Sequence, residues 1–330
     1  MQGWLIRYGP GPAQLAFRSG SGGASGGGGP RTPRALVLVA GLTDGLMALP
    51  YVPQLEAAAE AAGYSLVQAQ LSSSYQGWGV GCLDADAEEI LALARHLAAE
   101  LGCEGMVVMG HSTGAQDAVR FCERLQSAEG AAPLEGIILQ GPVSDREWLA
   151  RFHPDLLALL PEARRAVAEG RGDQIIARAP CDLGAAPLCA ARLVALGERL
   201  GDDDMFSTDL TPDELRARLG HLAPHPLLLI QSGADECVPR TEEIPKLGAR
   251  LIAAASGKSE ASAAQSGAAG GAQSKAAAGK EPAARGGGGA PLRRHVVIPG
   301  ALHNARGMEA EVAAAVGAFL AAIKLPPAEG

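Results

Sequence analysis

Apolar residues fall into two spacings along this chain, and the way the spacings alternate predicts the architecture. Residues 35–40 are an unbroken apolar run, too apolar for a strand with one wet face, and read as a strand covered on both sides; 64–71, 134–139 and 226–231 read as further strands, the one at 134–139 also buried. Between them lie segments with helical spacing, at 52–62, 84–101 and 116–125, and a closing helix is expected at 308–323. In the second of these Ile90, Leu91, Ala94 and Leu97 mark one apolar side. Strands that alternate with helices predict an α/β fold with a mostly parallel, doubly wound sheet. Residues 3–8 and 13–17 flank Gly9-Pro10-Gly11-Pro12 and predict a leading hairpin, while His295-Val296-Val297-Ile298 predicts a short last strand.

From Ser144 to about His221 the pattern changes to helices with polar loops, with helical segments at 147–160, 161–169 and 188–200. This reads as a helical cap inserted into a single domain of 330 residues, over the carboxyl end of the sheet. Two tracts do not fit a packed body: 19–34, almost all Gly, Ser and Pro, is expected to be a flexible loop, and 255–290, rich in Ala, Gly and Ser, a disordered insertion.

Composition narrows the class. Aromatic residues make up 4% of the chain and the net charge is −8, which argues against nucleic acid and other polyanions as partners. The six cysteines show no CxxC pair or metal-like spacing and read as reduced thiols of a cytoplasmic protein. The first residues lack the apolar stretch of a signal peptide, and no window reaches the length of a membrane span, so a soluble protein is expected.

The chemistry centres on Val107-Val108-Met109-Gly110-His111-Ser112-Thr113-Gly114-Ala115, a buried strand that turns sharply into a helix. Small residues two positions either side of Ser112 let strand and helix approach, and the strained turn pushes the hydroxyl out above the sheet. Serine needs a base to take its proton, and the base needs an acid to fix its tautomer. In the chain order of an α/β-hydrolase the acid follows a late strand and the base follows the last one. Asp235 and His303 occupy those places. Glu236, Asp209 and Asp182 are weaker rivals for the acid, and His111 reads as structural.

The backbone N–H groups of Leu42, after the strand at 35–40, and Thr113 are expected to form an oxyanion hole, although Gly41-Leu42-Thr43-Asp44-Gly45 also reads as a plain glycine-rich turn. Thr43, Tyr75 and Trp78 are candidate pocket residues, with simple packing of the two aromatics as the alternative. Asp84, Asp86, Glu88 and Glu89 crowd a helix start, where the dipole favours acids, and read as structural. Asp202-Asp203-Asp204 reads as a solvated loop rather than a metal site. No metal or cofactor is called for.

Four blocks carry a resemblance: Gly41-Leu42-Thr43-Asp44-Gly45-Leu46, Leu71-Ser72-Ser73-Ser74-Tyr75-Gln76-Gly77-Trp78-Gly79, Gly110-His111-Ser112-Thr113-Gly114 and Ser232-Gly233-Ala234-Asp235-Glu236-Cys237-Val238-Pro239. Together they resemble the eukaryotic α/β-hydrolase family that includes the fungal fusarinine C (siderophore) esterase. The resemblance covers most of the chain outside 19–34 and 255–290, and implies a Ser112, Asp235, His303 esterase acting on a small-molecule ester. Two other readings stand beside it, an acyltransferase with the same acyl-enzyme and a non-catalytic ligand-binding or interaction protein on the same fold. Neither the substrate nor the oligomeric state follows from the residues.

Overall fold

Successive side chains of a strand point to opposite faces of the sheet, and here both faces are apolar. In the computed structural model, which describes residues 1–20, 33–257 and 290–323, strand β3 (Arg34–Val39) sends Ala35, Val37 and Val39 into one buried cluster and Leu36 and Leu38 into another. Strand β5 (Gly105–His111) does the same with Met106 and Val108 against Val107 and Met109. A strand of this kind is stable only between two helical layers, each fully buried aliphatic side chain contributing roughly 1.5–3 kcal/mol.

The remaining strands of the main sheet are β1 (Gly3–Arg7), β2 (Leu15–Ser19), β4 (Ser65–Gln70), β6 (Leu134–Gln140), β9 (Leu227–Ser232) and β10 (Arg293–Ile298). They form one eight-stranded sheet in the order β1-β2-β4-β3-β5-β6-β9-β10. The leading hairpin β1–β2 and the β2–β4 pair are antiparallel, and all other pairs are parallel. One face is covered by α2 (Leu83–Leu101), α3 (Thr113–Leu125), α8 (Pro212–Leu219) and α9 (Ile244–Ala255), through Ile90, Phe121, Leu215 and Leu251. The other is covered by α1 (Val52–Ala61) and the closing helix α10 (Glu309–Ile323), through Leu55, Val312 and Phe319. The sequence analysis did not anticipate α9. The tracts expected to be a flexible loop and a disordered insertion lie outside the described residues except at their ends, where Ser19 closes β2, Arg34 opens β3 and Ala255 ends α9.

Between β6 and β9 the chain leaves the sheet. Helices α4 (Asp145–Phe152), α5 (Pro154–Leu157), α6 (Leu160–Ala168) and α7 (Ala190–Gly197) pack around their own apolar cluster, built from Leu149, Leu156, Ala163, Leu193 and Leu196. The insertion expected to be helical also holds a short antiparallel pair, β7 (Ile175–Arg178) with β8 (Pro187–Cys189). Strands of four and three residues leave too few positions for a period-two pattern to register. Met205, Phe206, Leu210 and Leu215, further along the same insertion, belong instead to the cluster on the α2–α3 face of the main sheet.

The loop from Leu71 to Gly79 holds the cap down. Trp78 is buried in the cap's cluster; its indole Nε1–H donates to the carbonyl of Leu183 at 3.3 Å, and its own carbonyl accepts from Arg192 Nε at 2.9 Å. Gln76 Nε2 donates to the carbonyl of Gly184 at 2.8 Å.

Candidate active site

Strand β5 ends at His111 and α3 begins at Thr113, which leaves Ser112 alone to make the turn, at φ 54° and ψ −123°. That conformation costs a non-glycine residue about 1–3 kcal/mol and survives only where the surroundings impose it. They do so through close packing. A Cβ on Gly110 would stand 2.0 Å from the carbonyl oxygen of Gly114, and a Cβ on Gly114 would stand 2.4 Å from that of Val39. Only glycine lets α3 start this near β5 and β3.

The last strands deliver the partners. Asp235 lies just beyond β9 and His303 in the loop beyond β10, so three strand ends along one sheet edge converge. His303 Nε2 accepts from the Ser112 hydroxyl at 2.8 Å, and His303 Nδ1–H donates to both carboxylate oxygens of Asp235 at 3.0 Å. The carboxylate, which can only accept, fixes this tautomer. Asp235 is buried and its Oδ1 also accepts from the backbone N–H of Cys237 at 3.0 Å. Burial disfavours an imidazolium at His303, but the hydrogen bond and charge of Asp235, with lesser help from Glu236 and Asp145, outweigh it and raise the pKa above its ordinary 6.5. Glu236, the rival acid, faces elsewhere and accepts from the backbone N–H of His303 at 2.8 Å.

Beneath the imidazole sits a neutral network. Gln140 Oε1 accepts from Tyr51 O–H at 3.0 Å and from His111 Nδ1–H, and Gln140 Nε2 donates to the carbonyl of His303 at 3.3 Å. Burial and the nearby His303 lower the pKa of His111 to about 3, so it stays uncharged beside the second imidazole, whose ring centroid is 5.1 Å away. His111, Tyr51 and Gln140 therefore support the loop that carries His303. The sequence analysis missed this for Tyr51 and Gln140, which looked like ordinary strand-end and loop residues.

The Gly41–Asp44 turn runs directly over the serine: a Cβ on Gly41 would stand 2.8 Å from the Cβ of Ser112. Asp44 closes the turn, with its N–H donating to the Gly41 carbonyl at 3.0 Å and its carboxylate accepting from the Gly41 N–H at 3.3 Å. Leu42 and Thr113 both border a small open cleft next to the Ser112 turn. Thr113 is the first residue of α3, where backbone N–H groups have no acceptor within the helix.

Of the three candidate pocket residues, Trp78 borders the cleft, while Thr43 and Tyr75 do not. Tyr75 is half exposed and lies against Gly45 instead, set there by its positive φ of 58°. Its polar lining also includes Asp44, Ser73, Ser74, Asp86, Asp117 and Arg192. Asp86 lies in the first turn of α2, as expected, and is buried there, while Asp84 pairs with Arg120 at 2.5 Å and Arg124 at 2.7 Å. One expectation fails: the run at 202–204 is no solvated loop, since Asp203 accepts from Arg192 Nη1 at 2.8 and 2.9 Å, and Asp204 pairs with Arg146 at 3.2 Å. Arginines from other elements, Arg192 of α7 and Arg146 of α4, supply the charge that allows burial.

Asp235, Cys237 and His303 offer possible metal-ligand atoms within 4.8 Å of one another. Two of them already bind each other. The Cys237 thiol is pushed up to about 12 by burial and the neighbouring carboxylates.

Residues 24–286 match the model of a family described as protein of unknown function, DUF1749. The fusarinine C esterase sidJ of Aspergillus fumigatus is 31% identical over 281 residues, covering 70% of this chain and 79% of that protein. The chain belongs to this family. A UPF0613 protein of Schizosaccharomyces pombe is 34% identical over 229 residues, covering 64% of this chain and 72% of the other. Among solved structures, the siderophore hydrolase EstB of Aspergillus fumigatus superposes with a TM-score of 0.71 at 24% identity, covering 98% of both chains. The fold of the family member described here is that of an α/β-hydrolase. Among the described residues no helix is long and apolar enough to cross a membrane.

Proposed function

We propose that this protein is a serine esterase that cleaves a carboxylic ester of a small or mid-sized organic molecule through an acyl-enzyme. The observation that carries the reading is the continuous relay from the Ser112 hydroxyl through His303 to Asp235, at 2.8 and 3.0 Å. Relatives named as esterases, including one named for fusarinine C, support ester hydrolysis as the reaction.

In this reading Ser112 Oγ attacks the ester carbonyl while His303 Nε2 takes its proton. Asp235 holds the ring and stabilises the imidazolium. The backbone N–H groups of Leu42 and Thr113 bind the oxyanion, helped by the positive end of α3. His303 then passes the proton to the departing alcohol, and a water activated by the same histidine releases the acid from Ser112. The six free thiols suit a cytoplasmic setting.

A fluorophosphonate probe tests the assignment. Adduct mapping is expected to find the label on Ser112 of the folded protein and none in Ser112→Ala. Folded protein that resists the probe would overturn the reading in favour of a ligand-binding role. Alcohol or amine acceptors added during turnover separate hydrolysis from transfer by the partition ratio: a transferase forms the new ester or amide in preference to free acid at low acceptor concentration, whereas a hydrolase releases mainly free acid.

A further inference from the structure

We infer that Asp44 is a positioning residue of the reaction: its carboxylate locks the strained Gly41–Asp44 turn over Ser112, and with it the Leu42 N–H that takes the oxyanion. The inference rests on the esterase reading above and names the group that keeps its oxyanion turn in shape.

The turn is strained at its third position. The Asp44 N–H donates to the Gly41 carbonyl at 3.0 Å, and of the two residues between them only Thr43 has a positive φ, 67°. Those two features define a type II turn, whose third position favours glycine or asparagine. A β-branched threonine is out of its ordinary range there, so the turn persists only where neighbouring groups impose it. Left alone it relaxes to type I by reversing the Leu42–Thr43 peptide, and so reverses the dipole next to the Leu42 N–H.

Asp44 supplies the restraint with its N–H, its carboxylate and its carbonyl. Its Oδ2 accepts from the Gly41 N–H at 3.3 Å, so backbone and side chain both tie the last residue of the turn to the first. Its carbonyl accepts from the Tyr75 N–H at 3.1 Å, while the Tyr75 ring packs against Gly45, where a Cβ would stand 2.2 Å from Cζ. The Gly41 N–H, claimed by Asp44, is not available to an oxyanion. The N–H groups of Leu42 and Thr113 donate to no acceptor among the described residues.

The turn also stands where such a restraint bears on the chemistry. A Cβ on Gly41 would be 2.8 Å from the Cβ of Ser112. Burial raises the Asp44 pKa, and the Gly41 N–H and the charge of His303 oppose that rise, which sets the carboxylate among the groups around the histidine of the relay. An amide at position 44 keeps an accepting oxygen for the Gly41 N–H, and alanine does not.

The test compares Asp44→Ala with Asp44→Asn in hydrolysis of p-nitrophenyl butyrate, and reads oxyanion binding separately with propyl trifluoromethyl ketone, to which Ser112 adds to give a tetrahedral oxyanion. Asp44→Ala is expected to lower kcat about tenfold or more with KM within about twofold, and to weaken the ketone by the same factor as kcat/KM. Asp44→Asn is expected to stay within about threefold of the unmutated protein in both. Thr43→Gly added to Asp44→Ala removes the strain and is expected to regain about threefold in kcat. Thermal melting reports that each variant is folded. A loss under about threefold in Asp44→Ala, a loss that leaves ketone binding unchanged, an Asp44→Asn protein as poor as Asp44→Ala, or no recovery with Thr43→Gly would overturn the inference. Fluorophosphonate labelling of the unmutated protein reads the esterase assignment separately: a labelled Ser112 with a fully active Asp44→Ala protein removes only the role of Asp44, whereas an unlabelled Ser112 removes the reading on which it rests.

Discussion

Two polar clusters sit side by side in this molecule, and they are built on opposite terms. In the Ser112–His303–Asp235 relay the groups match one for one: hydroxyl to imidazole, imidazole to carboxylate, carboxylate to a backbone N–H. All three side chains leave short connections at the ends of strands in one sheet. In the neighbouring aspartate cluster the carboxyls outnumber the arginine, and they come from separate bodies: Asp86 from α2, Asp117 from α3, Asp145 from α4 and Arg192 from α7 of the cap. The first cluster draws on no residue of α4–α7, whereas the second takes Asp145 and Arg192 from them. Burial favours the neutral form of Asp117 and Asp145, which lets so many carboxyls share one guanidinium.

The contrast makes distinct demands on variants. Replacing Ser112 or His303 by alanine is expected to lower kcat/KM about a millionfold with an unchanged melting temperature, because neither side chain is part of the apolar core; a loss under tenfold in steady-state assays would remove that residue from the reaction. Arg192→Met attacks the other cluster. It strands Asp203 as a buried carboxylate without a partner and is expected to cost about 3–5 kcal/mol in urea unfolding, a stability effect that no triad substitution shares.

Gly114→Ala lies between the two. Its new Cβ meets the backbone carbonyls of Val39 and Ala40 at 2.4 and 2.5 Å, so α3 must shift. The expected cost is about 1–3 kcal/mol by thermal unfolding, with lower kcat because the Thr113 N–H moves with the helix. The smallest effect is in pH dependence. His303 must be neutral to take the serine proton, and its pKa is raised, so kcat/KM is expected to fall on acidification with a midpoint above 6.5. Residual activity of Asp235→Asn should show that midpoint displaced to lower pH, since the change removes the principal group that raises it.

How far the site could be read in advance differs between the clusters for a physical reason. Gly110, Ser112 and Gly114 form a local backbone motif, and the places of Asp235 and His303 follow from strand order, so each leaves a mark within a few residues. Asp86 carried a misleading mark, because an acid in the first turn of a helix is also what the dipole favours. Asp117 carried a faint one: an acid one turn after the elbow, on the same helix face as Thr113, faces whatever Thr113 faces. Asp203 carried none, since its partner Arg192 lies in another element.

Periodicity and turn chemistry act over a few residues, and from them came most of the strand and helix order, the doubly wound sheet and the turn at Ser112; the chain order of an α/β-hydrolase then pointed to Asp235 and His303. Helix α9, the β7–β8 pair, the placing of Tyr75 outside the cleft and the burial of Asp86, Asp117 and Asp203 came from packing in the folded chain. Burial and charge state depend on which groups meet through space in a low dielectric, and nothing in a local stretch of chain records that meeting.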